Sequence, residues 1–274
     1  MAERRCAARL LVTGAILAGV LTTSACAVLP AMGPAVPPEA AGSTLGAPDP
    51  ATSATESPGP TPSPTPTTTS LFGDTYAALD ADSTTIERWE ASVLRIRSVT
   101  CTGVYTGSGF VVDPHTVVTN QHVVNGASLI QVDTVDGREI KVKDVSQASD
   151  IDLAVIHTDA TLPVPFPLAP GNAAIGQHVA AIGYPLGGPV FTSTGTVEGW
   201  FVDTQLKGGF AMRSSTAVDH GNSGGPILDR HGAVVAVVYA KSGDGTAGSI
   251  GVSVLSAHLA NANGFATPVS CSPS

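Results

Sequence analysis

Short strand-like runs, separated by turn signals, recur from about residue 90 to the end of the chain. They lie at 92–98, 109–112, 116–119, 128–134, 139–145, 153–157, 178–182, 190–201, 210–214, 225–228, 233–239 and 249–252. Many short runs with Gly, Pro and Asp between them are typical of an all-β barrel or sandwich. We expect helices only within the lead-in at 74–89 and at 253–261, before Gly264.

Three segments carry a histidine, an aspartate and a serine, in that order. His122 lies in TNQHVV at 119–124, Asp152 in DIDLAV at 150–155, and Ser223 in GNSGGP at 221–226. A serine hydroxyl becomes an effective nucleophile when a neighbouring base removes its proton and an acid orients that base. The motif also matches G-x-S-x-G, but an α/β-hydrolase has its acid and histidine after the serine and alternates strands with helices. We therefore predict that these three residues form a triad on an all-β fold.

The local context assigns a role to each residue. His122 follows a strand-like run, and Asp152 directly precedes the apolar run that starts at Leu153, whereas Asp150 is the alternative acid. Gly221 and Ser223 can aim their backbone N–H groups at one point and form an oxyanion hole. The alternative is that GNSGGP forms a glycine-rich turn in which the serine has no catalytic role.

The N-terminus is typical of an export signal. Arginines precede an apolar run at 10–21 that is short for a membrane span, and TSACA follows at 23–27. Cleavage before Cys26 would leave a lipidated cysteine, whereas cleavage after Ala27 would give a freely secreted protein; we favour the lipoprotein. We assign 1–25 to the signal, 26–70 to a disordered Pro/Thr/Ser-rich linker and 71–274 to the folded domain.

Cysteine usage fits an exported protein. Cys6 is in the signal and Cys26 is the candidate lipid site, which leaves Cys101 and Cys271. We expect these two to form a disulfide in an oxidising compartment, the alternative being two free buried thiols.

The charge and the spacing of the histidines exclude other classes of function. The net charge is −9, and the sequence lacks the excess of basic residues that is expected of a nucleic-acid-binding protein. His115, His157, His178 and His231 lie apart without the spacing of a metal site, so we expect no metal and no cofactor.

The three motifs, together with GSGFVV at 107–112, resemble those of the trypsin/chymotrypsin superfamily, and more closely those of HtrA-like and related actinobacterial periplasmic serine proteases. The resemblance covers about residues 90–265. It implies a chymotrypsin-like double β-barrel with a short C-terminal helix, an active site between the barrels, and an oxyanion hole at Gly221 and Ser223.

Two features depart from the family pattern. Only 51 residues follow Ser223 in the 274-residue sequence, so we expect no PDZ domain and favour a monomer. Asn222 stands where trypsin-like zymogens have an aspartate, so we expect no activation by an N-terminal ion pair.

The resemblance also places the first substrate pocket at 215–218 and 238–241, with Ala217 at its base and His220 and Tyr239 beside it. Without an acid at the base, cleavage after Lys or Arg is not favoured, and a small or medium apolar side chain is expected.

The predicted function is an exported serine endopeptidase, acting on protein or peptide substrates and meeting the membrane only through a lipid anchor. The alternatives are a catalytically silent or latent binding protein on the same fold, and an esterase that uses the same triad.

Overall fold

The computed structural model describes residues 76–204, 206 and 210–271. The predicted signal, the predicted linker and Cys26 lie outside the described residues, so the domain boundaries stay predictions. No helix in the described ranges is long and apolar enough to cross a membrane.

The N-terminal half folds into an eight-stranded antiparallel sheet. Its strands are β1 (Val93–Thr100), β2 (Val104–Asp113), β3 (Thr116–Thr119), β4 (Ala127–Asp133), β5 (Glu139–Ile140), β6 (Val142–Ala148), β7 (Ala154–Thr158) and β14 (Phe265–Ala266). Their order is β14-β6-β7-β3-β2-β1-β4-β5, so the last strand of the chain returns to the edge of this first sheet.

The C-terminal half folds into a closed six-stranded barrel. Its strands are β8 (His178–Gly183), β9 (Phe191–Val202), β10 (Phe210–Ala217), β11 (Pro226–Leu228), β12 (Val234–Lys241) and β13 (Thr246–Gly251), in the order β10-β13-β12-β11-β8-β9. The predicted all-β, chymotrypsin-like architecture is confirmed. The first half is a curled open sheet rather than a closed barrel.

Three short α-helices accompany the strands: α1 (Ser83–Glu90), α2 (Gln121–Val124) and α3 (Val252–Leu259). The side chain of Asp82 caps α1 by accepting the N–H of Thr85 at 2.8 Å, and α1 buries Ile86 and Trp89. Asx capping of this kind satisfies an N–H that has no partner within the helix. The expected short helix in the lead-in is α1, and the expected C-terminal helix is α3.

One apolar cluster packs the sheet against the barrel. Phe110 of β2, Ile182 of β8 and Leu255 of α3 all belong to it and are at most 1% exposed. The ring of Phe110 also meets that of Phe166 edge-to-face, with centroids 6.3 Å apart. Burial of large side chains from both halves fixes their relative position, and therefore the position of the loops that meet between them.

The start of β2 was missed by the sequence pattern, which predicted a strand only from 109. The observed strand begins at Val104 and runs through Gly107 and Gly109. A Cβ at Gly107 would lie 2.6 Å from the methyl groups of Val123, and one at Gly109 would lie 2.7 Å from a methyl of Val117. Close packing at these positions requires glycine, which hides the apolar alternation on which the prediction depends.

A disulfide joins Cys101 to Cys271, with Cα atoms 5.9 Å apart and a sequence separation of 170. The N–H of Cys271 donates to the carbonyl of Gly126 at 3.3 Å. The bridge therefore ties the end of the chain to the hairpin between β1 and β2, beside the loop that precedes β4.

Replacement of Cys101 or Cys271 by serine is expected to lower the free energy of unfolding by about 2–5 kcal/mol, because the unfolded chain loses a long-loop constraint. Urea unfolding of the oxidised protein measures this. The double variant should equal either single variant, since all three lack the same bond. A parent that is equally stable with and without reductant would contradict the expectation.

Candidate active site

His122 lies on α2, immediately after β3, and its ring is held by Asp152. Nδ1 of His122 is 2.6 Å from Oδ2 of Asp152, and the backbone N–H of His122 donates to Oδ1 at 2.9 Å. One carboxylate therefore fixes both the ring and the backbone of the same histidine. With Nδ1 engaged in this way, Nε2 is left to accept a proton.

Asp152 lies just before β7, and its side chain is 20% exposed. The side-chain amide of Asn120, a fully buried residue, donates to the backbone carbonyl of Asp152 at 2.7 Å. The alternative acid, Asp150, faces elsewhere: its Oδ1 is 3.3 Å from Nε2 of His258, and its side chain is 58% exposed. The structure therefore brings Asp152, and not Asp150, to the imidazole of His122.

Most N–H groups of the loop that carries Ser223 have acceptors. Their bonds run from His220 N to Asp219 Oδ1 at 2.7 Å, from Asn222 N to Asp219 O at 3.0 Å, from Gly224 N to Val238 O at 2.8 Å, and from Gly225 N to Asn222 O at 2.9 Å. Between residues 220 and 225, only the N–H groups of Gly221 and Ser223 have no acceptor among the described residues. A turn that satisfies its other donors and leaves these two free can bind an oxyanion.

The carbonyls of the same loop determine where those two N–H groups point. The N–H of Leu186 donates to the carbonyl of His220 at 2.5 Å, and the carbonyl of Asn222 accepts from Gly225. In a planar trans peptide, the C=O and the following N–H point in opposite directions. Each hydrogen bond therefore directs the N–H that follows the bonded carbonyl, that of Gly221 or that of Ser223, away from the group that donates to that carbonyl.

Ser108 of β2 anchors the loop from the other half of the molecule. Its N–H donates to the carbonyl of Ser223 at 2.8 Å, and its Oγ donates to the carbonyl of Gly221 at 2.6 Å. The Oγ of Ser108 also accepts the N–H of Tyr184 at 3.0 Å. Ser108 is fully buried, so these bonds are not in competition with water.

Two glycines of the loop have positive φ and no room for a side chain. Gly221 has φ of +98°, and a Cβ there would collide with the carbonyl of Tyr184. Gly224 has φ of +85°, and a Cβ there would collide with the carbonyl of Ser108 and the hydroxyl of Thr119. Glycine is therefore required on both sides of Ser223.

Ser223 and His122 line the same two open clefts. One, of 430 Å³, is also lined by Val218, Asp219, His220 and 238–243. The other, of 370 Å³, is also lined by 104–106, Val123, Leu186, His220 and Gly221. The Oγ of Ser223 makes no hydrogen bond to the described residues, and it is free to approach a bound carbonyl.

Of the three predicted pocket residues, two line the clefts beside Ser223 and one does not. His220 lines both clefts, and Tyr239 lines the larger one, where its hydroxyl donates to the carboxylate of Asp203. Burial, reinforced by that bond, raises the pKa of Tyr239, so the hydroxyl stays protonated. Ala217 is at the exposed end of β10 and does not line either cleft; its place at the pocket base stays a prediction.

Sequence reasoning missed three groups that shape the site: Ser108, Leu186, and the pair of Asp219 with Lys241. The GSG run around Ser108 was the available signal, because a polar residue between two glycines within a strand is unusual. Within the described ranges, no three His, Cys, Asp or Glu side chains come together to hold a metal ion. The arrangement fits nucleophilic acyl transfer by a serine.

Comparison with known proteins agrees with this geometry. A family model described as a trypsin-like peptidase domain matches residues 107–237. Serine protease Rv3671c of Mycobacterium tuberculosis is 32% identical over 163 residues, which cover 55% of this chain and 40% of that protein. A probable periplasmic DegP-like serine endoprotease of Hahella chejuensis is 36% identical over 155 residues, which cover 54% of this chain and 32% of that protein.

Comparison with solved structures finds the same relative. The crystal structure of the active form of the Rv3671c protease superimposes with a TM-score of 0.60 at 28% identity, covering 67% of this chain and 86% of that one. The matched part of the chain spans less than half the length of the two full-length relatives.

Asp152→Asn is expected to lower kcat for hydrolysis of an activated ester by about 10⁴-fold, because an amide no longer selects the tautomer in which Nε2 accepts the proton. Asp150→Asn is the matched control and should change kcat little, since Asp150 contacts His258. Equal losses in the two variants would contradict the assignment of Asp152.

Proposed function

We propose that the protein is an exported serine endopeptidase, and the match of residues 107–237 to a family model described as a trypsin-like peptidase domain supports this proposal. The observation that carries the proposal is the pair of free N–H groups, at Gly221 and Ser223, beside a histidine held by a carboxylate. A binding module on this fold has no need of donors that are kept unpaired.

The proposed reaction follows from these positions. Oγ of Ser223 attacks the carbonyl carbon of the peptide bond while Nε2 of His122 takes the hydroxyl proton. The N–H groups of Gly221 and Ser223 stabilise the negative oxygen of the tetrahedral intermediate. His122 then gives the proton to the leaving amine, and a water molecule hydrolyses the acyl-enzyme by the same route in reverse.

Proteolytic removal of an N-terminal segment is not needed in this proposal. Oδ1 of Asn222 accepts the N–H of Asp219 at 3.1 Å, within the serine loop itself. A neutral side chain that is already engaged offers no ion pair to a new N-terminal amine. The loop is held instead by Ser108 and Leu186.

Export and anchoring belong to the proposal as well. The N-terminal signal pattern and Cys26 support an extracytoplasmic protein that is tethered by a lipid through the Pro/Thr/Ser-rich linker. The Hahella chejuensis relative is described as periplasmic, which agrees with this location. The proposed substrates are proteins or peptides of the cell envelope.

A latent or silent binding protein is the second candidate, and one observation favours it. Oγ of Ser223 has no hydrogen bond to His122 in the described structure. In substrate-free proteases such bonds are often long and tighten only when substrate binds.

Labelling with an active-site fluorophosphonate separates the two candidates. We expect the purified full chain to be labelled at Ser223, with the modified peptide located by mass spectrometry. Ser223→Ala and His122→Ala should abolish labelling, because the first lacks the nucleophile and the second lacks its base. A folded parent that is not labelled would contradict the peptidase proposal.

Digestion of a denatured protein, compared with hydrolysis of a small ester, distinguishes a peptidase from an esterase. An endopeptidase cleaves both substrates, and Ser223→Ala should lose both activities together. Ester hydrolysis without any peptide cleavage would favour the esterase.

A further inference from the structure

Asn120 bridges two segments of the site just outside the strand pair that joins them. Strands β3 and β7 pair antiparallel as far as Thr119 and Ala154. Outside that pair the chain leads on one side to His122 on α2 and on the other to Asp152. The side-chain amide of Asn120 donates to the carbonyl of Asp152 at 2.7 Å. This bond connects the two segments where the backbone pairing has ended.

The side chains of Asn120 and Asp152 divide the work of a helix cap between them. Asn120 is the N-cap residue of α2, a position at which an asparagine side chain usually accepts a helix N–H, but it makes no such bond here. Oδ1 of Asp152 accepts the N–H of His122 instead, at 2.9 Å, while Oδ2 meets Nδ1 of the same histidine at 2.6 Å. Asn120 therefore holds the backbone of Asp152, and the carboxylate of Asp152 holds His122.

Asn120 has no access to a substrate. It is fully buried and does not line either of the clefts beside Ser223. A Cβ at Gly224 would lie 3.1 Å from its backbone nitrogen, so the serine loop packs directly against it.

The buried amide of Asn120 also has a cost. Its Oδ1 is buried and has no hydrogen-bond partner among the described residues. A buried polar atom without a partner lowers the free energy of unfolding, so stability alone does not account for an asparagine at this position.

We propose that Asn120 is a positioning residue for catalysis, which fixes the backbone of Asp152 and thereby the direction from which its carboxylate meets the imidazole of His122. This inference rests on the proposed endopeptidase function. Asn120 acts only through Asp152 and does not touch the reacting atoms.

The expected effect of losing the amide follows from geometry. Without it the carbonyl of Asp152 loses the donor that ties it to α2, and the carboxylate is free to move relative to the ring of His122. A displacement of about 1 Å at such a site can lower the rate by about 10²-fold. We therefore expect Asn120→Ala to lower kcat for an activated ester by about 10²-fold and to leave KM nearly unchanged, because no substrate contact is removed.

Thr158→Ala is the matched control. The hydroxyl of Thr158 donates to the carbonyl of Ala160 at 2.8 Å, and the residue is 3% exposed. This variant loses a side-chain bond to the backbone at the other end of β7, away from His122. Its kcat should equal that of the parent, even where urea unfolding shows a similar loss of stability in the two variants.

A double-mutant cycle with Asp152→Asn distinguishes positioning from a general structural role. Asp152→Asn leaves a residual rate that is still measurable, because the oxyanion hole and substrate binding remain. If Asn120 acts through the carboxylate of Asp152, adding Asn120→Ala to this variant should lower kcat by no more than about threefold further. Losses that multiply would mean that Asn120 acts by another route, and would overturn the inference.

Asn120→Asp is the second variant, for use if the alanine variant does not fold, because it keeps the volume of the side chain. Its carboxyl group can donate to the carbonyl of Asp152 only while it is protonated. The ratio of its kcat to that of the parent should therefore fall as the pH rises through the pKa of the new carboxyl group. A ratio that stays constant or rises with pH would overturn the inference.

Fluorophosphonate labelling of the full chain separates failure of this inference from failure of the proposed function. A labelled parent whose kcat is unchanged by Asn120→Ala would overturn the positioning role and leave the peptidase function standing. A folded parent that is not labelled would overturn the function on which the role rests.

Discussion

The hydrogen bonds of Ser108 hold the site together, because this one buried residue connects both halves of the molecule to the serine loop. It binds the carbonyls of Gly221 and Ser223, accepts the N–H of Tyr184, and through its own carbonyl accepts the hydroxyl of Thr119 at 2.7 Å. Loss of a partner in such a place leaves a buried polar group unpaired, which costs more than an average hydrogen bond contributes. The N-terminal half, which carries His122, is therefore connected directly to the loop that carries Ser223.

The two halves of the molecule supply different parts of the site. The N-terminal sheet supplies His122, Asp152 and the anchor, while the C-terminal barrel supplies Ser223 and the walls of the larger cleft. The proposed oxyanion hole is preorganised because its donors are turned by bonds made elsewhere in the loop. Preorganised donors need no rearrangement as charge develops, and this is the usual source of large electrostatic stabilisation in such sites.

The sequence allowed most of the strands, the helices α1 and α3 and the three candidate triad residues to be proposed, because each has a local signal: alternation, an apolar run, or glycines around a serine. It did not predict α2 (Gln121–Val124), the four-residue helix that carries His122. It did not reveal Leu186, whose φ of +55° belongs to a conformation that a leucine pattern does not predict. Nor did it reveal the pair of Asp219 with Lys241, which are 22 residues apart and meet only through the barrel closure. The start of β2 was missed because glycines required by packing interrupt its pattern.

Pocket residues were harder to predict than the three candidate triad residues. Ala217 was assigned to the floor of the pocket by resemblance and stays a prediction, whereas its neighbour Val218, in the same predicted stretch, lines the larger cleft. Side chains at a strand end change face with a shift of one residue, so a register cannot be carried over from a resemblance with certainty.

If the hole is formed before substrate binds, crystal structures of the protein before and after phosphonylation of Ser223 should show the same serine loop. After phosphonylation we expect a phosphonyl oxygen about 2.7–3.1 Å from the backbone nitrogens of both Gly221 and Ser223. We also expect the carbonyl of His220 to be still bound to the N–H of Leu186. An oxygen that contacts neither nitrogen, or a loop whose His220 carbonyl has left Leu186, would contradict the account.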